Sequence, residues 1–359
     1  MKRHLLLTIL FAFSWGVFAQ NNSGKISGYM FGDYFYNISR DAGHDSLTNT
    51  ALNGEKDFNG FQFRRIYFTY DYRISEKFDT RFRLEADQSG NTSNGKIGVA
   101  LKDAYIKWKN IFIGSDLVVG LQPGPAFEIS ELVWGYRSLE KTIMDLRGIV
   151  PSRDLAVSLK GKIDNTGNIN YWVMIGNGNG NSPENDKYKR FYGHLYFKPA
   201  ENFHITVYDD LKIRPSLKIN SASLNNNDIT SALLVGYIDK DIFCVGAEGF
   251  LQMRENGSVK NSTSGPDYQT KNAMGISAFG SYNFSSLLGA VVRFDFFDSD
   301  TDPGSKGDMR NYYVFSLVFK PDPLVSIMPN VLVETYESVA GNSYEASVTG
   351  RITFYYNFL

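Results

Sequence analysis

The sequence predicts an all-β chain closed into a transmembrane antiparallel β-barrel of about sixteen strands, with its third long loop folded inward, and three observations predict it. The first is a period of two that runs from Lys25 to the end of the chain. In the final segment one face reads Tyr344, Ala346, Val348, Ile352, Phe354, Tyr356, Phe358, and the other reads Glu345, Ser347, Thr349, Arg351, Thr353, Tyr355, Asn357. A greasy face opposite a wet one marks a sheet between two different media. The second is a segregation of connections, in which short turns alternate with longer polar loops. The third is composition. Aromatics reach 15%, with 22 Tyr and 27 Phe, while the formal net charge is only −1. Mean hydropathy is −0.26, as a membrane barrel requires, because only alternate residues face lipid.

The chain opens on an export leader. Met1-Lys2-Arg3-His4 is a basic head, Leu5 to Phe18 is largely apolar, and Val17-Phe18-Ala19 offers a cleavage site after Ala19. Residues 1–19 are therefore read as a signal peptide and 20–359 as the barrel domain. No later apolar run approaches the ~20 residues of a spanning helix. Cys244 is the only cysteine, so stability has to come from closing the sheet rather than from an intrachain disulfide. The near-zero charge argues against a nucleic-acid-binding surface, which needs cations to neutralise phosphates.

Sixteen strands follow in order: 25–38, 60–73, 77–88, 96–108, 114–122, 152–163, 168–177 and 188–198 in the first half. The second half holds 202–211, 229–239, 242–254, 272–284, 287–297, 310–320, 325–336 and 344–358. Short turns fall at Ser75-Glu76, Lys109–Ile113, Asp164–Gly167, Ala200-Glu201, Lys240, Ser285-Ser286 and Asp322–Leu324. The longer loops, mostly rich in Asn, Gly, Ser and Asp, are 39–59, 89–95, 123–151, 178–187, 212–228, 255–271, 298–309 and 337–343. Turns on the periplasmic side and loops outside the cell are the barrel layout.

Alternation also sorts charge. Lys77, Asp79, Arg81, Arg83, Glu85 and Asp87 share one face, opposite Phe78, Phe82, Leu84 and Ala86. An Arg or Lys on the lipid face near mid-membrane would cost about 2–4 kcal/mol, so the charged face must look into the lumen. A lumen this charged calls for water. The loop at 123–151 departs from the polar pattern, since Phe127, Ile129, Leu132, Val133, Trp134, Tyr136, Leu139, Ile143, Met144 and Leu146 lie within it. So many large apolar groups must pack against something. Folded inward, the loop narrows the channel and brings Glu128, Glu131, Arg137, Glu140, Lys141, Asp145 and Arg147 to the constriction. The other placement is an external helix against neighbouring loops or a neighbouring subunit.

Several short motifs resemble the phosphate-selective porin O and P family. They are Phe61-Gln62-Phe63-Arg64-Arg65, Leu101-Lys102-Asp103-Ala104-Tyr105, Val119-Gly120-Leu121-Gln122 and Ser152-Arg153-Asp154-Leu155. By order and spacing they cover most of the mature chain. The resemblance implies a sixteen-stranded outer-membrane porin, a homotrimer with an infolded third loop. Its partners would be outer-membrane lipid and small-molecule or ion solutes, phosphate among them.

Parity adds wall residues to the loop set. The pore-lining and constriction candidates are Arg65, Arg81, Arg83, Glu85, Asp103, Lys107, Asp154, Arg293, Asp295 and Arg351, with Glu128, Glu131, Arg137, Lys141 and Arg147 from the loop. Both signs are present, so a general small-solute pore is expected ahead of a strict phosphate filter. No metal site or cofactor is expected. Asp298 to Gly304 resembles a calcium loop, but Met309 stands where the closing Glu belongs. His194 and His204 flank the turn at Pro199 and are read as lumen lining. Two other classes stay open: a plugged structural or adhesive barrel, and a barrel enzyme. The second lacks a G-x-S-x-G motif and has only His44, His194 and His204 after leader removal.

Overall fold

In the computed structural model, residues 23–87, 90, 92–219, 222–239, 241–262, 265–339, 341 and 343–358 are described. The leader 1–19 and the Lys240 turn lie outside them. The first strands are β1 (Gly24–Ser39), β2 (Asn59–Arg73), β3 (Phe78–Asp87), β4 (Gly98–Phe112), β5 (Ser115–Pro123) and β6 (Arg153–Lys162). Next come β7 (Ile169–Gly176), β8 (Arg190–Phe197), β9 (Phe203–Lys212), and a short ribbon of β10 (Leu217–Ile219) and β11 (Ala222–Leu224). The wall continues with β12 (Asp228–Asp239), β13 (Phe243–Ser262), β14 (Gly265–Asn283) and β15 (Leu288–Asp298). It ends with β16 (Arg310–Asp322), β17 (Val325–Tyr336) and β18 (Ser347–Phe358).

Every wall strand pairs antiparallel with its neighbour in sequence, and β1 pairs with β18 to close the ring. Phe31 lies opposite Arg65 of β2 on one side and Tyr355 of β18 on the other. All sixteen expected strands are present. Closure leaves no open edge, so the backbone is satisfied at membrane depth.

Two loops read as irregular hold strand. The segment 212–228 contains the β10–β11 ribbon, and 255–271 continues the β13–β14 ladder, with Val259 opposite Tyr268 and Lys260 opposite Asp267. The 255–271 extension is mostly polar on both faces, so it lacks the greasy–wet alternation that marks a membrane strand, and β10 and β11 are only three residues each, too short for a period of two to stand out.

The alternation is visible in exposure. Along β18, Ser347, Thr349, Arg351 and Thr353 are buried inside while Ile352, Phe354 and Tyr356 face out. In β16, Phe315 and Leu317 face out and Val314 and Val318 face in. At the turn end the outer surface carries an aromatic chain, with Phe203–Tyr237 and Tyr237–Phe243 ring centroids both 5.3 Å apart. Aromatic rings at such a level suit the boundary between lipid and water.

The lumen is less open than its charge implied. Two apolar clusters fill much of it. In one, Ile129, Val133, Trp134 and Leu139 pack on Leu234, Phe279, Tyr312, Val314 and Met328. In the other, Phe127, Ile143, Met144 and Val150 pack on Trp172, Met174, Tyr208, Phe250 and Phe297. The loop at 123–151 therefore fills the interior against β7–β9 and β12–β17. Charged side chains that are only partly covered remain along β2–β4.

Candidate pore constriction

The infolded loop leaves β5 at Pro123 and returns to β6 at Ser152, its neck closed by Gly124 N–H donating to the Ser152 carbonyl at 3.1 Å. It contains α1 (Glu128–Trp134) and α2 (Ile143–Leu146). Gly135 ends α1 with a left-handed φ of 69° and returns its N–H to the Glu131 carbonyl, a geometry that favours glycine. The Trp134 indole N–H then donates to the Glu140 carbonyl at 2.8 Å, tightening the crossing.

The far wall is shaped to receive it. Gly236 of β12 and Gly246 of β13 are register partners; Val133 sits where a Cβ of Gly236 would stand, and the Phe279 ring, with Val133 behind it, takes that place at Gly246. Beside them the Trp134 ring meets Phe279 edge-on at 5.2 Å, and the Cys244 thiol donates to the Val133 carbonyl at 2.9 Å.

Three wall arginines grip the loop by its carbonyls. Arg64 and Arg351 both donate to the Leu139 carbonyl, at 3.1 and 2.6 Å. Arg64 also donates to the Ser138 carbonyl, and Arg293 to that of Lys141. Each of these arginines is seated in turn. Arg64 bonds Asp33 at 2.5 Å, Arg351 bonds Asn330 at 3.0 Å, and Arg293 makes a two-point contact with Asp295 while lying over the Trp134 ring. Hydrogen bonds with an ionised donor contribute roughly 1.5–3 kcal/mol each. Arg147 adds a fourth tether, 3.0 Å from Glu334 and 2.7 Å from the Asn49 carbonyl. Glu334 also accepts the Ala51 N–H at 2.8 Å, so the loop at 39–59 is drawn inward as well.

Glu140 lies at the centre of this clasp, accepting the Tyr312 hydroxyl at 3.0 Å. Burial alone would raise its pKa, but Arg351, Arg64, the Lys141 N–H and Arg293 outweigh burial and push it down to about 2.

The remaining candidates divide by environment. Arg81 bonds Asp71 at 2.7 Å, and Lys107 stands 3.9 Å from Asp79; these pairs are about a third exposed. Arg83 donates to Thr69 at 2.8 Å, stands 3.3 Å from Asp103 and lies over the Tyr67 ring. Arg65 meets Glu85 and Asp87. Asp103 is buried and takes a 2.5 Å bond from Arg153. Asp154 is buried too, accepting Tyr192 at 2.7 Å and the Gly178 N–H at 2.6 Å. On the loop, Arg137 joins Asp145 at 3.0 Å and Glu131 at 3.4 Å, and Glu128 meets Lys160 at 3.1 Å. Lys141 enters through its backbone, donating to Glu140 and accepting from Arg293.

Strict alternation missed Arg64 and Lys102. Two consecutive side chains point inward at each place because the strand bulges. Phe31 pairs with Arg65 and Gly32 with Phe63, so Arg64 is the extra residue. Arg83 pairs with Asp103 and Leu84 with Leu101, so Lys102 is extra and reaches Glu85 at 2.7 Å. The signal was present, since Arg64-Arg65 in a regular strand would have placed one guanidinium in lipid.

Both histidines lie on the buried inward face of their strands, as lumen lining requires. His194 lies opposite Trp172 and Tyr208, whereas His204 stacks on Tyr196 and shares a 2.7 Å hydrogen bond with its hydroxyl. No group of three metal-ligating side chains is assembled among the described residues.

No family model and no curated protein matches the sequence. Solved structures do resemble the fold. The outer membrane channel DcaP of Acinetobacter baumannii aligns with a TM-score of 0.67 at 12% identity, over 94% of this chain and 97% of that one. An anion-selective porin from Comamonas acidovorans aligns at 0.62 and 10% identity, over 94% and 100%. OprB of Pseudomonas putida aligns at 0.60 and 9%, over 93% and 94%. At such identities the likeness is one of architecture, and it is the chain's closed sixteen-stranded barrel that aligns with these structures.

Proposed function

We propose that this chain is an outer-membrane porin, a water-filled channel for passive diffusion of small hydrophilic solutes, narrowed by its third loop. The observation that carries the reading is the placement of that loop. It is clamped across the barrel against one side, while Arg81, Lys107, Asp71 and Asp79 stay partly exposed on the other. A plugged structural barrel has no need of hydrated charge along one wall. The path runs between β2–β4 and the loop, lined by Arg65, Arg81, Arg83, Glu85 and Lys107 on the wall and by Glu131 and Arg137 on the loop.

Selectivity for phosphate, the finer expectation of the motif resemblance, has weaker support. An anion filter needs cations free to replace phosphate hydration. Here Arg65, Arg81, Arg83, Lys102 and Lys107 each face a carboxylate. The channel passes small solutes of either sign, phosphate among them. Export through the leader 1–19 places the barrel in the outer membrane, and assembly as a homotrimer follows the resemblance; a Vibrio cholerae OmpT of similar fold is described in a trimer form. Single-channel recording in a planar bilayer tests the reading. Stable conductance steps are expected, and a membrane that stays sealed with folded protein present would falsify it.

A further inference from the structure

The greasy outer row of β9 is broken by a carboxylate. Its outward side chains are Phe203, Ile205, Val207, Asp209 and Leu211, and Asp209 is exposed. On the same face its register neighbours are Gly193 of β8 and Ser231 of β12. Phe191 and Ile229 lie beside Leu211 toward the loop end, and Leu195 and Leu233 lie beside Val207 toward the turn end. Asp209 therefore stands within the apolar band, not at its hydrated edge. The Ser231 hydroxyl donates to one of its oxygens, and the other oxygen accepts no hydrogen bond among the described residues. Next to it a hollow of about 580 Å³ opens on the outer face across β9, β12, β13 and β14. Small residues, Ser231, Ala247 and Gly249, leave its floor low, and Leu233, Leu251 and Ile276 form its sides.

We propose that this outer-wall hollow is a binding site for a membrane-dissolved amphiphile with an ammonium head and an alkyl body. A carboxylate that faces lipid is costly unless an opposite charge or a donor meets it. Ser231 supplies one donor, whereas a carboxylate has room for about four. Away from water, a cationic donor is the strongest partner for it. An anionic head would be repelled by Asp209, and a hydroxyl head would leave its charge unbalanced. The hollow selects the rest of the ligand. Its sides are aliphatic, and its volume lies within the range of small-molecule sites, so an alkyl chain lying across β12 and β13 fits it.

The site is outside the proposed conduction path, and it needs the barrel to stand in a membrane, not to conduct. Native mass spectrometry of the refolded barrel in dodecyl maltoside micelles tests it, with dodecylammonium, dodecyl sulfate and dodecanol as probes. One dodecylammonium per chain should bind saturably, with the other two at least about tenfold weaker. Asp209→Asn, which keeps the shape of the site, should weaken dodecylammonium by about tenfold. Gly249→Leu should weaken it as well by filling the hollow; a Cβ there meets nothing nearer than 3.7 Å, so the wall accommodates it. Equal affinity for the three probes, no saturable binding, or an affinity unchanged in either variant overturns the proposal. So does a photo-crosslinker on Ser231→Cys, with Cys244→Ser, that joins two copies in lipid vesicles, because a second chain then covers the face. None of these readouts depends on a conductance step, so the channel reading stands or falls separately.

Discussion

Arg293 shows how a lumen charge serves structure and channel geometry together. It is buried with Asp295 and holds the Lys141 carbonyl of the loop. Arg293→Met should leave Asp295 buried without its partner, at a cost of about 3–5 kcal/mol. Urea unfolding in lipid vesicles measures that loss, and an unchanged midpoint would refute the clasp. Glu140 supplies the pH dependence. Its pKa falls from 4.5 in a free carboxyl to about 2 in the folded loop. A lowered carboxylate pKa contributes stability that is complete above the unfolded value and lost as pH falls through the folded one. Loop closure should therefore hold at neutral pH, weaken below about pH 4.5 and lose this contribution near about pH 2. Current noise recorded against pH reads the effect, and Glu140→Gln should remove that part of the dependence.

Among elements, the loop and the glycine pair facing it carry the proposed constriction. Gly236 and Gly246 make the dent that Val133 enters. Gly236→Val keeps a residue suited to a strand but fills the dent, so α1 should be displaced and conductance should rise. Deleting 128–146 should raise single-channel conductance further, and unchanged conductance in both variants would remove the loop from the pathway. The bulge in β2 has a reason at the same scale. A Cβ at Gly32 would collide with the Gln62 carbonyl, so the glycine permits the close approach that turns both Arg64 and Arg65 inward.

Across the whole molecule, the ion preference of the proposed channel follows from how its charges are paired. With wall cations facing carboxylates, the reversal potential in a salt gradient should stay near zero, with or without phosphate. Arg81→Gln should shift it toward cations by leaving Asp71 unopposed. A strongly anion-selective wild-type reversal potential would instead favour the filter implied by the motif resemblance.

The sequence by itself determined the barrel: its strand order, which faces look outward, and which loop is exceptional. Each follows from local physics, because period-two alternation and turn chemistry act between residues near in sequence. The third loop was legible because its apolar content had to be buried somewhere. Which wall would bury it, and by which contacts, was decided only by the tertiary structure. The Leu139 carbonyl meets Arg64 and Arg351 from opposite ends of the chain, and both bulges depend on register against a neighbouring strand. Register and long-range pairing are settled when the sheet closes. Closure also turned a lumen that read as open and charged into one half filled by its own loop, with Arg293, Arg147, Asp103 and Asp154 spent on buried contacts.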